Sequence, residues 1–418
     1  MMEINEKYKV KITGQENSGQ GVSKIDDMIV FVENGLPDDE GEVLITEIKK
    51  NYARGRMVSF NQTSSSKQEA PCPFYNECGG CDLQHQLYKD QLAFKEDKIK
   101  TALTRIGGFN NVLINKIIFD EQFYYRNKVT LKVDGEQLGF YKRNTNEIVE
   151  IDNCIISNEK INEIIKMLKT FVRHYNKNNF KSIMIRYSDA LMISVDSRND
   201  KLSSELVAFL INKISNIKSI SLNNKIIYGE NYIEEKIDNL TFKLSPTSFY
   251  QVNINVMKKL YCKTIEYVTK IENKTILDLY CGIGTISILL ANHAKSVVGI
   301  EMVKSAVDNA IDNLAINGIN NVMFIHGKVE KSLDLLEEET VDTIVMDPPR
   351  NGVDKKTLDT IIKINPQQIV YISCNPATLA RDLKILSEHK YELVEVTPFD
   401  MFPQTNHVEC VVLLYKKS

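Results

Sequence analysis

The 418-residue sequence predicts an α/β protein whose C-terminal part is a parallel β-sheet with helices on both faces. The first observation is that apolar strands alternate with helical segments from Thr275 onward. The second is a glycine-containing turn at 281–284, which follows a strand and opens a helix. The expected strands are 276–279, 296–300, 342–346 and 369–373, and the expected helices are 285–292, 304–317 and 376–387.

The composition is typical of a globular protein of two or three domains. Apolar residues make up 43% and charged residues 26%, and no run approaches the ~18–20 apolar residues of a membrane span. The start of the chain lacks the apolar core of a secretory signal, so we expect a cytoplasmic protein without membrane contact. The net charge of −3 argues against a protein that coats nucleic acid, although a transient contact needs only a local basic face.

The N-terminal part is expected to be separate from the rest. Residues 1–60 contain short strand-like runs broken by glycines and polar turn residues, which predicts a small OB-like barrel. The polar run 61–69 is expected to be a linker. The middle part, 70–245, is expected to mix a helix ending at Gly107-Gly108, strands at 128–133 and 183–185, and a helix at roughly 159–175.

The segment Asp278 to Thr285 has the pattern of a nucleoside-binding turn. Its glycines let the backbone approach a ligand at the carboxyl ends of the strands. Glu301 lies about 20 residues on, where an acid can accept hydrogen bonds from two ribose hydroxyls. The alternative is an ordinary strand-to-helix turn. Because Ile286-Ser287 stands where a dinucleotide fingerprint has its third glycine, we expect a nucleoside without pyrophosphate, of which S-adenosylmethionine is the commonest.

Two further motifs follow strands of the same expected sheet. The prolines of Asp347-Pro348-Pro349-Arg350 fix the backbone and hold Asp347 at the sheet edge, although a stiff turn would give the same pattern. Cys374 stands between a strand and a helix that starts near Pro376, where the helix dipole favours a nucleophilic thiolate. The alternative is a small buried apolar residue.

Glu409 precedes the apolar run of the last expected strand. If that strand is antiparallel to the others, Glu409 lies near Asp347 and Cys374; otherwise it is a solvated acid at a strand end. These groups together suit one chemistry. C5 of uracil is a poor nucleophile, but addition of a thiolate at C6 makes C5 enolate-like, so that it accepts a methyl group. A carboxylate then removes the C5 proton, and the thiolate leaves.

Through these motifs the chain resembles the RNA uracil-5-methyltransferase family. The resemblance covers essentially the whole length and includes the segments Ser248-Phe249-Tyr250-Gln251-Val252-Asn253, Asp278–Thr285, Asp347–Arg350, Ser373–Pro376 and His407–Glu409. It implies S-adenosylmethionine as cofactor and RNA as substrate. By position, Cys374 resembles the nucleophile and Glu409 the proton-abstracting base. The residues that resemble cofactor contacts are Gln251, Tyr280, Glu301 and Asp347.

The resemblance also implies three domains. Residues 1–60 resemble a TRAM domain, 70–245 a mixed α+β central domain, and 246–418 a class I methyltransferase domain with a Rossmann-like fold. Members that act on the T-loop of transfer RNA typically lack both the N-terminal barrel and a cysteine cluster. We therefore expect a uridine in large-subunit (23S) ribosomal RNA as the target rather than transfer RNA, and a monomeric enzyme.

The cysteine cluster is the second feature of that branch. Thiols of a reducing compartment are more often metal ligands or catalytic groups than disulfides. Cys72, Cys78 and Cys81 lie within ten residues, and the resemblance adds Cys154. Four thiolates fit zinc or an iron–sulfur cluster equally well by spacing, or they are unrelated buried cysteines. Similarity to the ribosomal RNA branch favours a [4Fe–4S] cluster.

Two other interpretations compete with this one. An enzyme that methylates an exocyclic or amide nitrogen often has an aromatic residue where Arg350 stands here, and its chemistry gives Cys374 no task. An RNA-binding or redox-sensing protein does not explain why cofactor, Cys and Glu features meet at one edge. The segments Tyr124–Lys128 and Tyr141–Arg143 interleave rings with cations, as base- and phosphate-binding surfaces do, but many strand surfaces look the same.

Overall fold

The computed structural model describes residues 2–175, 179–199, 201, 203–333 and 340–417. The chain forms two compact units. The first comprises Met1–Lys98, Tyr141–Glu147 and Gln404–Asn406, and the second comprises Ile99–Phe140, Ile148–Pro403 and His407–Ser418. The three-domain division made from the sequence stays a prediction. Within the described ranges, no helix has the length and apolar composition needed to cross a membrane.

The first unit is built on a six-stranded sheet of short strands. They are β1 (Lys7–Lys11), β2 (Gly14–Gln15), β3 (Gly21–Ile25), β4 (Met28–Glu33), β5 (Glu40–Ile48) and β6 (Tyr52–Gln62). Their order is β1-β5-β6-β4-β3-β2; β4 pairs with β6 in parallel and the other neighbours pair antiparallel. Alternate side chains such as Val30, Val32, Val43 and Ile45 form its small core, as the period of two along a strand requires.

The polar run 61–69 is not a free linker, which corrects the sequence-based expectation. The amide of Ser64 donates a 2.8 Å hydrogen bond to the Asp39 carboxylate. The Lys67 ammonium lies 2.6 Å from the other carboxylate oxygen of Asp39, which is fully buried. A buried carboxylate needs such partners, and the polar residues that suggested a linker provide them.

Helix α1 (Tyr88–Ala102) continues into a π-helical turn at Leu103–Gly107, and Gly108 ends it in the left-handed conformation with φ of 78°. This is the helix that the sequence predicted to end at Gly107-Gly108. The next strand, β7 (Leu113–Ile114), has two residues and joins the edge of the last sheet of the chain. The sequence analysis did not find it, because two residues show no period.

A seven-stranded sheet and two helices follow. Its order is β10-β9-β8-β11-β12-β13-β14, and helix α2 is the predicted helix at 159–175. The strands are β8 (Lys128–Asp134), β9 (Gln137–Tyr141), β10 (Ile148–Glu150), β11 (Phe180–Tyr187), β12 (Leu191–Ser197), β13 (Ile217–Leu222) and β14 (Lys225–Gly229). The helices are α2 (Glu159–Tyr175) and α3 (Ser203–Lys213). A hairpin of β15 (Ile233–Ile237) and β16 (Leu240–Leu244) leads to helix α4 (Ile254–Val268).

The C-terminal part is an eight-stranded sheet in the order β19-β18-β17-β20-β21-β23-β22-β7. Its other strands are β17 (Thr275–Leu279), β18 (Ser296–Glu301), β19 (Val322–His326), β20 (Thr343–Met346), β21 (Gln368–Ser373), β22 (Tyr391–Phe399) and β23 (Glu409–Lys416). The first five strands of this order are parallel, and β23 is antiparallel to β21. The parallel sheet and its antiparallel last strand are thus confirmed.

The helices between these strands also match the sequence pattern. They are α5 (Thr285–Leu290), α6 (Lys304–Asn317), α7 (Val329–Ser332), α8 (Lys355–Ile364) and α9 (Pro376–His389). Because every connection between parallel strands returns to the start of the next strand, the carboxyl ends of β17, β18, β20 and β21 share one edge. That edge also receives the first residue of β23.

Candidate active site at the carboxyl edge of the eight-stranded sheet

The turn after β17 has the backbone of a ligand-binding loop. Tyr280, Gly282 and Gly284 all have positive φ, at 64°, 57° and 78°. A side chain on Gly284 would collide with the ring of Phe324, whereas a Cβ on Gly282 would meet no atom within 4 Å. Gly284 is therefore required for packing, and Gly282 faces open space where a ligand can approach the backbone.

Glu301 ends β18 beside this turn. One carboxylate oxygen accepts the amide of Gly282 at 3.1 Å, and the other accepts the amide of Val303 at 2.7 Å. Both ends of the carboxylate are fixed by backbone, so the acid is held at one orientation before any ligand arrives. Its remaining lone pairs can accept hydrogen bonds from two neighbouring hydroxyls.

Two acids, the buried Asp278 and the half-buried Asp347, lie at the ends of adjacent strands. Asp278 is fully buried in β17 and accepts the hydroxyl of Ser287 at one oxygen. Its other oxygen, Oδ1, has no hydrogen-bond partner in the part of the chain that the structure describes. Burial raises the pKa of Asp278 to about 7, and burial together with Asp278 raises the pKa of Asp347 to about 7. The sequence analysis did not single out Asp278 by itself.

This environment fits a cationic nucleoside. Two desolvated carboxyl groups next to each other are costly to ionise, and a positive ligand removes that cost. The turn after β17 and its neighbours combine three features. They are a carboxylate oxygen without a hydrogen-bond partner among the described residues, a glycine backbone open to a ligand, and an acid oriented to accept ribose hydroxyls. S-adenosylmethionine, with its ribose and sulfonium cation, has the groups that these residues would bind.

The register of the last strand brings Cys374 and Glu409 together. Ser373 at the end of β21 pairs with Cys410 in β23. Cys374 follows Ser373 and Glu409 precedes Cys410, so an antiparallel ladder continued by one step would pair Cys374 with Glu409. Helix α9 begins directly after Cys374, with the Asn375 side chain accepting the amide of Ala377 at 3.1 Å.

Both groups favour their neutral forms. Burial raises the pKa of Glu409 to about 8; Asp347 adds to this shift and Arg350 opposes it. Burial, then Glu409 and Asp347, raise the pKa of the half-buried Cys374 thiol to about 11, and Arg350 again opposes. Desolvation and two carboxyl groups thus oppose the ionisation that the start of helix α9 is expected to favour, and the activated thiolate stays a prediction.

Arg350 is a site residue that the sequence analysis named only as an argument against another chemistry. Its carbonyl accepts the Asn375 amide at 3.0 Å and the Thr378 hydroxyl at 3.2 Å, which ties the loop after β20 to the start of α9. One guanidinium nitrogen, Nη2, lies 3.3 Å from Nε2 of His407, two residues before Glu409. The cation thus stands at the junction of the three segments that carry Asp347, Cys374 and Glu409.

The other predicted cofactor residues flank this edge. Gln251 is 9% exposed in the segment 248–253, where the neighbouring Phe249 is 73% exposed. Tyr280 is half-buried, and burial and the nearby Asp354 raise its pKa to about 12. The contact of Gln251 and Tyr280 with a cofactor stays a prediction.

The predicted cysteine ligands are not assembled into a metal site. Cys81 is buried and Cys72, Cys78 and Cys154 are half-buried. Over the described ranges, no group of three or more His, Cys, Asp or Glu side chains is arranged to hold a metal ion. The four thiols have the right chemistry for a metal or cluster, and the amide of Gly80 donates a 3.4 Å hydrogen bond to the Cys78 sulfur. The [4Fe–4S] cluster stays a prediction.

A family profile described as tRNA (Uracil-5-)-methyltransferase matches residues 87–417, and a TRAM domain profile matches residues 2–58. An uncharacterized RNA methyltransferase of Bacillus cereus strain ATCC 10987 is 38% identical over 447 residues, covering 99% of this chain and 97% of the relative. One from Clostridium acetobutylicum is 37% identical over 446 residues, covering 98% and 97%.

One solved structure is similar over its full length. It is the Pyrococcus abyssi tRNA (uracil-54, C5)-methyltransferase in complex with S-adenosyl-L-homocysteine, with a TM-score of 0.79 and 27% identity. The superposition covers 97% of this chain and 99% of that chain. A transfer RNA enzyme therefore shares the whole architecture, N-terminal region included.

Proposed function

Since the chain belongs to the tRNA (Uracil-5-)-methyltransferase family, we propose that it transfers a methyl group from S-adenosylmethionine to C5 of a uridine in RNA, with Cys374 as nucleophile and Glu409 as base. The observation that supports the mechanism is the register of β21 and β23, whose continuation by one step would make Cys374 and Glu409 neighbours at the edge of the sheet. Asp347 raises the pKa of both groups, and Arg350 lowers it.

The cofactor supplies an electrophilic methyl group on a positively charged sulfur. Glu301 would hold the ribose, because backbone amides fix both of its oxygens. Asp278 and Asp347 would provide the negative charge that accommodates the cation. Gln251 and Tyr280 complete the proposed set of contacts.

The reaction forms and breaks one bond at Cys374. The thiolate adds to C6 of the uracil, and the electron pair of the C5–C6 double bond moves to C5 and the O4 carbonyl. C5 would then bond to the methyl carbon, while the bond from that carbon to the sulfonium sulfur breaks and its electron pair stays on sulfur as a neutral thioether. Glu409 removes the proton left on C5, the C5–C6 double bond returns, and the Sγ–C6 bond breaks. The enzyme ends with a free thiolate and a protonated Glu409, so one proton is released for each methyl group transferred.

The shifted pKa values give Arg350 a proposed task in this sequence. A thiol with a pKa near 11 and a carboxyl with a pKa near 8 are both protonated at neutral pH, whereas the chemistry needs both ionised. Arg350 is the cation that lowers the pKa of both groups. Its guanidinium would stabilise the ionised pair while the substrate is in place.

An RNA oligonucleotide containing 5-fluorouridine tests the covalent step. Fluorine at C5 cannot leave as a proton, so methyl transfer should trap the protein on the RNA. With cofactor, wild-type protein is expected to give a band that survives a denaturing gel, and Cys374→Ala is expected to give none. Cys262→Ala, which removes an exposed thiol on α4, is the matched control and should still form the band. No adduct with wild-type protein would contradict the mechanism.

For the RNA substrate, we propose large-subunit ribosomal RNA. This follows from the resemblance to the branch that has the TRAM domain and the cysteine cluster. The Pyrococcus abyssi neighbour favours a second candidate, transfer RNA, because it is named for uracil-54 of transfer RNA and matches this chain along 97% of its length. Architecture alone thus does not separate the two.

A competition decides between them. The protein is given equal amounts of unmodified transfer RNA and protein-free large-subunit RNA, with cofactor labelled on the methyl group. We expect the label in the ribosomal RNA. Label in the transfer RNA would move the assignment to the second candidate and leave the chemistry unchanged.

We also propose that Cys72, Cys78, Cys81 and Cys154 hold a [4Fe–4S] cluster, which would not take part in the methyl transfer. Four cysteine thiolates are the ligand set of such clusters. Protein purified without oxygen should contain iron and sulfide; Cys78→Ser should lose both, and Cys262→Ser should keep them. Stoichiometric zinc in colourless anaerobic protein would contradict the cluster.

A further inference from the structure

Three cations of the second unit lie together beside the proposed active site. Lys128 at the start of β8 and Arg186 in β11 are partners in the antiparallel register of the two strands. Arg126 lies two residues earlier, and its Nε donates a 3.1 Å hydrogen bond to the carbonyl of Lys128. We call Arg126, Lys128 and Arg186 the cation cluster.

Arg186 is the most buried member. It is 1% exposed and donates one hydrogen bond, from Nη2 to the carbonyl of Ser248 at 3.0 Å. Its Nη1 is buried and finds no partner among the described residues. Lys128 and Arg126 are half-buried and keep access to solvent. Within the described ranges, no member of the cation cluster forms an ion pair with a carboxylate, and Glu235 is the acid that acts on Arg186 at longer range.

The cation cluster is unfavourable in the free protein. Burial, then Arg186 and Arg126, lower the pKa of Lys128 to about 8. Burial lowers the pKa of Arg186 to about 10. Buried charges of one sign without a counter-ion cost free energy, and a protein keeps them where a ligand of opposite sign offsets the cost.

The position of the cation cluster indicates which negatively charged ligand would offset this cost. The amide of Asn127, between two of the cations, donates to the carbonyl of Val252 at 2.9 Å, next to Gln251. The hydroxyl of Tyr125 donates to the carbonyl of Pro403 at 3.0 Å, in the loop that leads to Glu409. One segment of chain, 125–128, therefore borders both the proposed cofactor contact and the loop before the proposed base.

A cavity of about 450 Å³ adjoins the same segment. It is lined by Phe123, Tyr124 and Tyr125 together with Asn253, Asn255 and two acids. Tyr124 is one of the lining residues, is 45% exposed and has a positive φ of 55°, a costly conformation for a bulky residue. Aromatic rings beside cations are the combination that binds unpaired nucleotides.

We propose that Lys128 and Arg126 bind a backbone phosphate of the RNA next to the reacting uridine, with Arg186 behind them as a fixed positive charge. The proposal rests on the proposed function for the identity of the ligand, and it adds the residues that hold the strand. An unstacked base beside that phosphate would lie in the aromatic cavity. A phosphate held here fixes the backbone on one side of the flipped uridine, which offsets part of the unstacking cost.

The test compares two lysines of one strand. Lys128→Gln removes a charge from the cation cluster, and Lys132→Gln removes a charge four residues along β8, on the same face but outside the cluster. Binding of a mixed-sequence single-stranded RNA is measured between 50 and 200 mM salt. Each phosphate contact contributes about 0.7 to the slope of log affinity against log salt, so Lys128→Gln should lower the slope by about 0.7. Lys132→Gln should leave it nearly unchanged.

A site that binds inorganic phosphate, and not the RNA backbone, would give a different result. If inorganic phosphate at millimolar concentration competes with the RNA in wild-type protein but a neutral-backbone oligonucleotide of the same sequence binds as tightly as the RNA, the cluster holds small anions and the proposal is overturned. Equal slope changes in both lysine variants would also overturn the proposal, because they would indicate a general electrostatic attraction of RNA to β8 and not a defined phosphate site.

Thermal unfolding separates a binding role from a structural one. Lys128→Gln is expected to raise Tm without RNA, since it removes repulsion within the cation cluster. A lysine with a structural task would lower Tm when replaced; a lower Tm with an unchanged salt slope would overturn the proposal.

Methyl transfer by wild-type protein is scored separately. If the wild type transfers no methyl group to any RNA while Lys128→Gln still changes the salt slope, the proposed function fails and the phosphate site stands. If methyl transfer is observed and the slope does not respond to Lys128→Gln, the phosphate site fails and the proposed function stands.

Discussion

Two regions of the second unit each contain buried and half-buried ionisable groups of a single charge sign, negative in one region and positive in the other. At the carboxyl edge of the eight-stranded sheet, burial raises the pKa of Asp278, Asp347 and Glu409. In the cation cluster, burial lowers the pKa of Lys128 and Arg186. Each region is driven towards its neutral form by the same cause, desolvation, reinforced by neighbours of like charge.

The difference indicates what each region binds. We call the sheet edge with Asp278, Asp347 and Glu409 the acid edge, and its charge is complementary to a cationic cofactor. The charge of the cation cluster is complementary to an RNA phosphate. A folded protein that paired the two regions with each other would be more stable, yet it would have neither charge available for a ligand. We infer that the free energy lost by leaving them apart is recovered when cofactor and RNA bind.

The largest expected effect is a loss of methyl transfer without a loss of binding. Cys374→Ala should abolish methyl transfer, because no other group adds to C6, while cofactor affinity and RNA affinity stay near wild type. Turnover is measured with labelled cofactor, and the affinities by calorimetry and by gel shift. Substantial residual turnover would remove Cys374 from the mechanism. Loss of cofactor affinity instead would indicate that the two regions are not independent.

Glu409→Gln should stall the reaction after methyl transfer. The thiolate can still add, but the amide cannot take the C5 proton, so a methylated protein–RNA adduct should accumulate. Denaturing gels with ordinary RNA and labelled cofactor detect it. Normal turnover, or no adduct at all, would show that Glu409 is not the base. Glu395→Gln, an acid of β22 held by Tyr267 and Asn115, is the control and should turn over normally.

Asp347→Asn tests the acid edge directly. Losing a carboxylate that faces a cationic ligand should weaken S-adenosylmethionine binding about 10- to 100-fold, the range for a buried charged hydrogen bond. Asp342 lies just before β20 and Asp347 just after it, so Asp342→Asn removes an acid from the other end of one strand. Asp342 accepts the amides of Lys274 and Thr275 at 2.7 and 2.9 Å. Its loss should lower stability and leave cofactor affinity unchanged.

Much of the acid edge could be predicted from the sequence. The alternation of strands and helices predicts a shared carboxyl edge, and motifs at strand ends must then meet there. Cys374 and Glu409 are 35 positions apart, but an antiparallel last strand brings them to the same edge, and the apolar run after Glu409 signals that strand. The start of helix α9 beside Cys374 is visible in the sequence, whereas the desolvation that raises the pKa of this thiol is not.

The cation cluster could not be predicted in the same way. Lys128 and Arg186 pair across strands whose register no local pattern specifies, and Arg186 alone on β11 looks like an ordinary strand residue. The sequence analysis saw Tyr124–Lys128 only as a mixture of rings and cations. Arg350 was missed as a site residue for a related reason, since its guanidinium reaches His407 only after the chain has folded.

The smallest expected effect is on stability as a function of pH, where the two regions should act in opposite directions. A carboxyl group whose pKa is raised by folding stabilises the folded state below its unfolded pKa, and this contribution is lost as pH rises through the folded value. For Asp347, the window is therefore about pH 4 to 7. A lysine whose pKa is lowered by folding behaves inversely: stability rises with pH between about 8, the folded value, and about 10.5.

Urea unfolding of the wild type and two variants measures both pH dependences of stability. Relative to wild type, Asp347→Asn should gain stability as the pH rises from 4 to 7, because Asn removes a group that is costly to ionise when folded. Lys128→Gln should be the more stable protein at pH 7, and its advantage should shrink between pH 8 and pH 10 as the wild-type lysine loses its proton. Parallel curves for all three proteins would mean that neither region is strained in the free enzyme. The comparison between acid edge and cation cluster would then have no energetic basis.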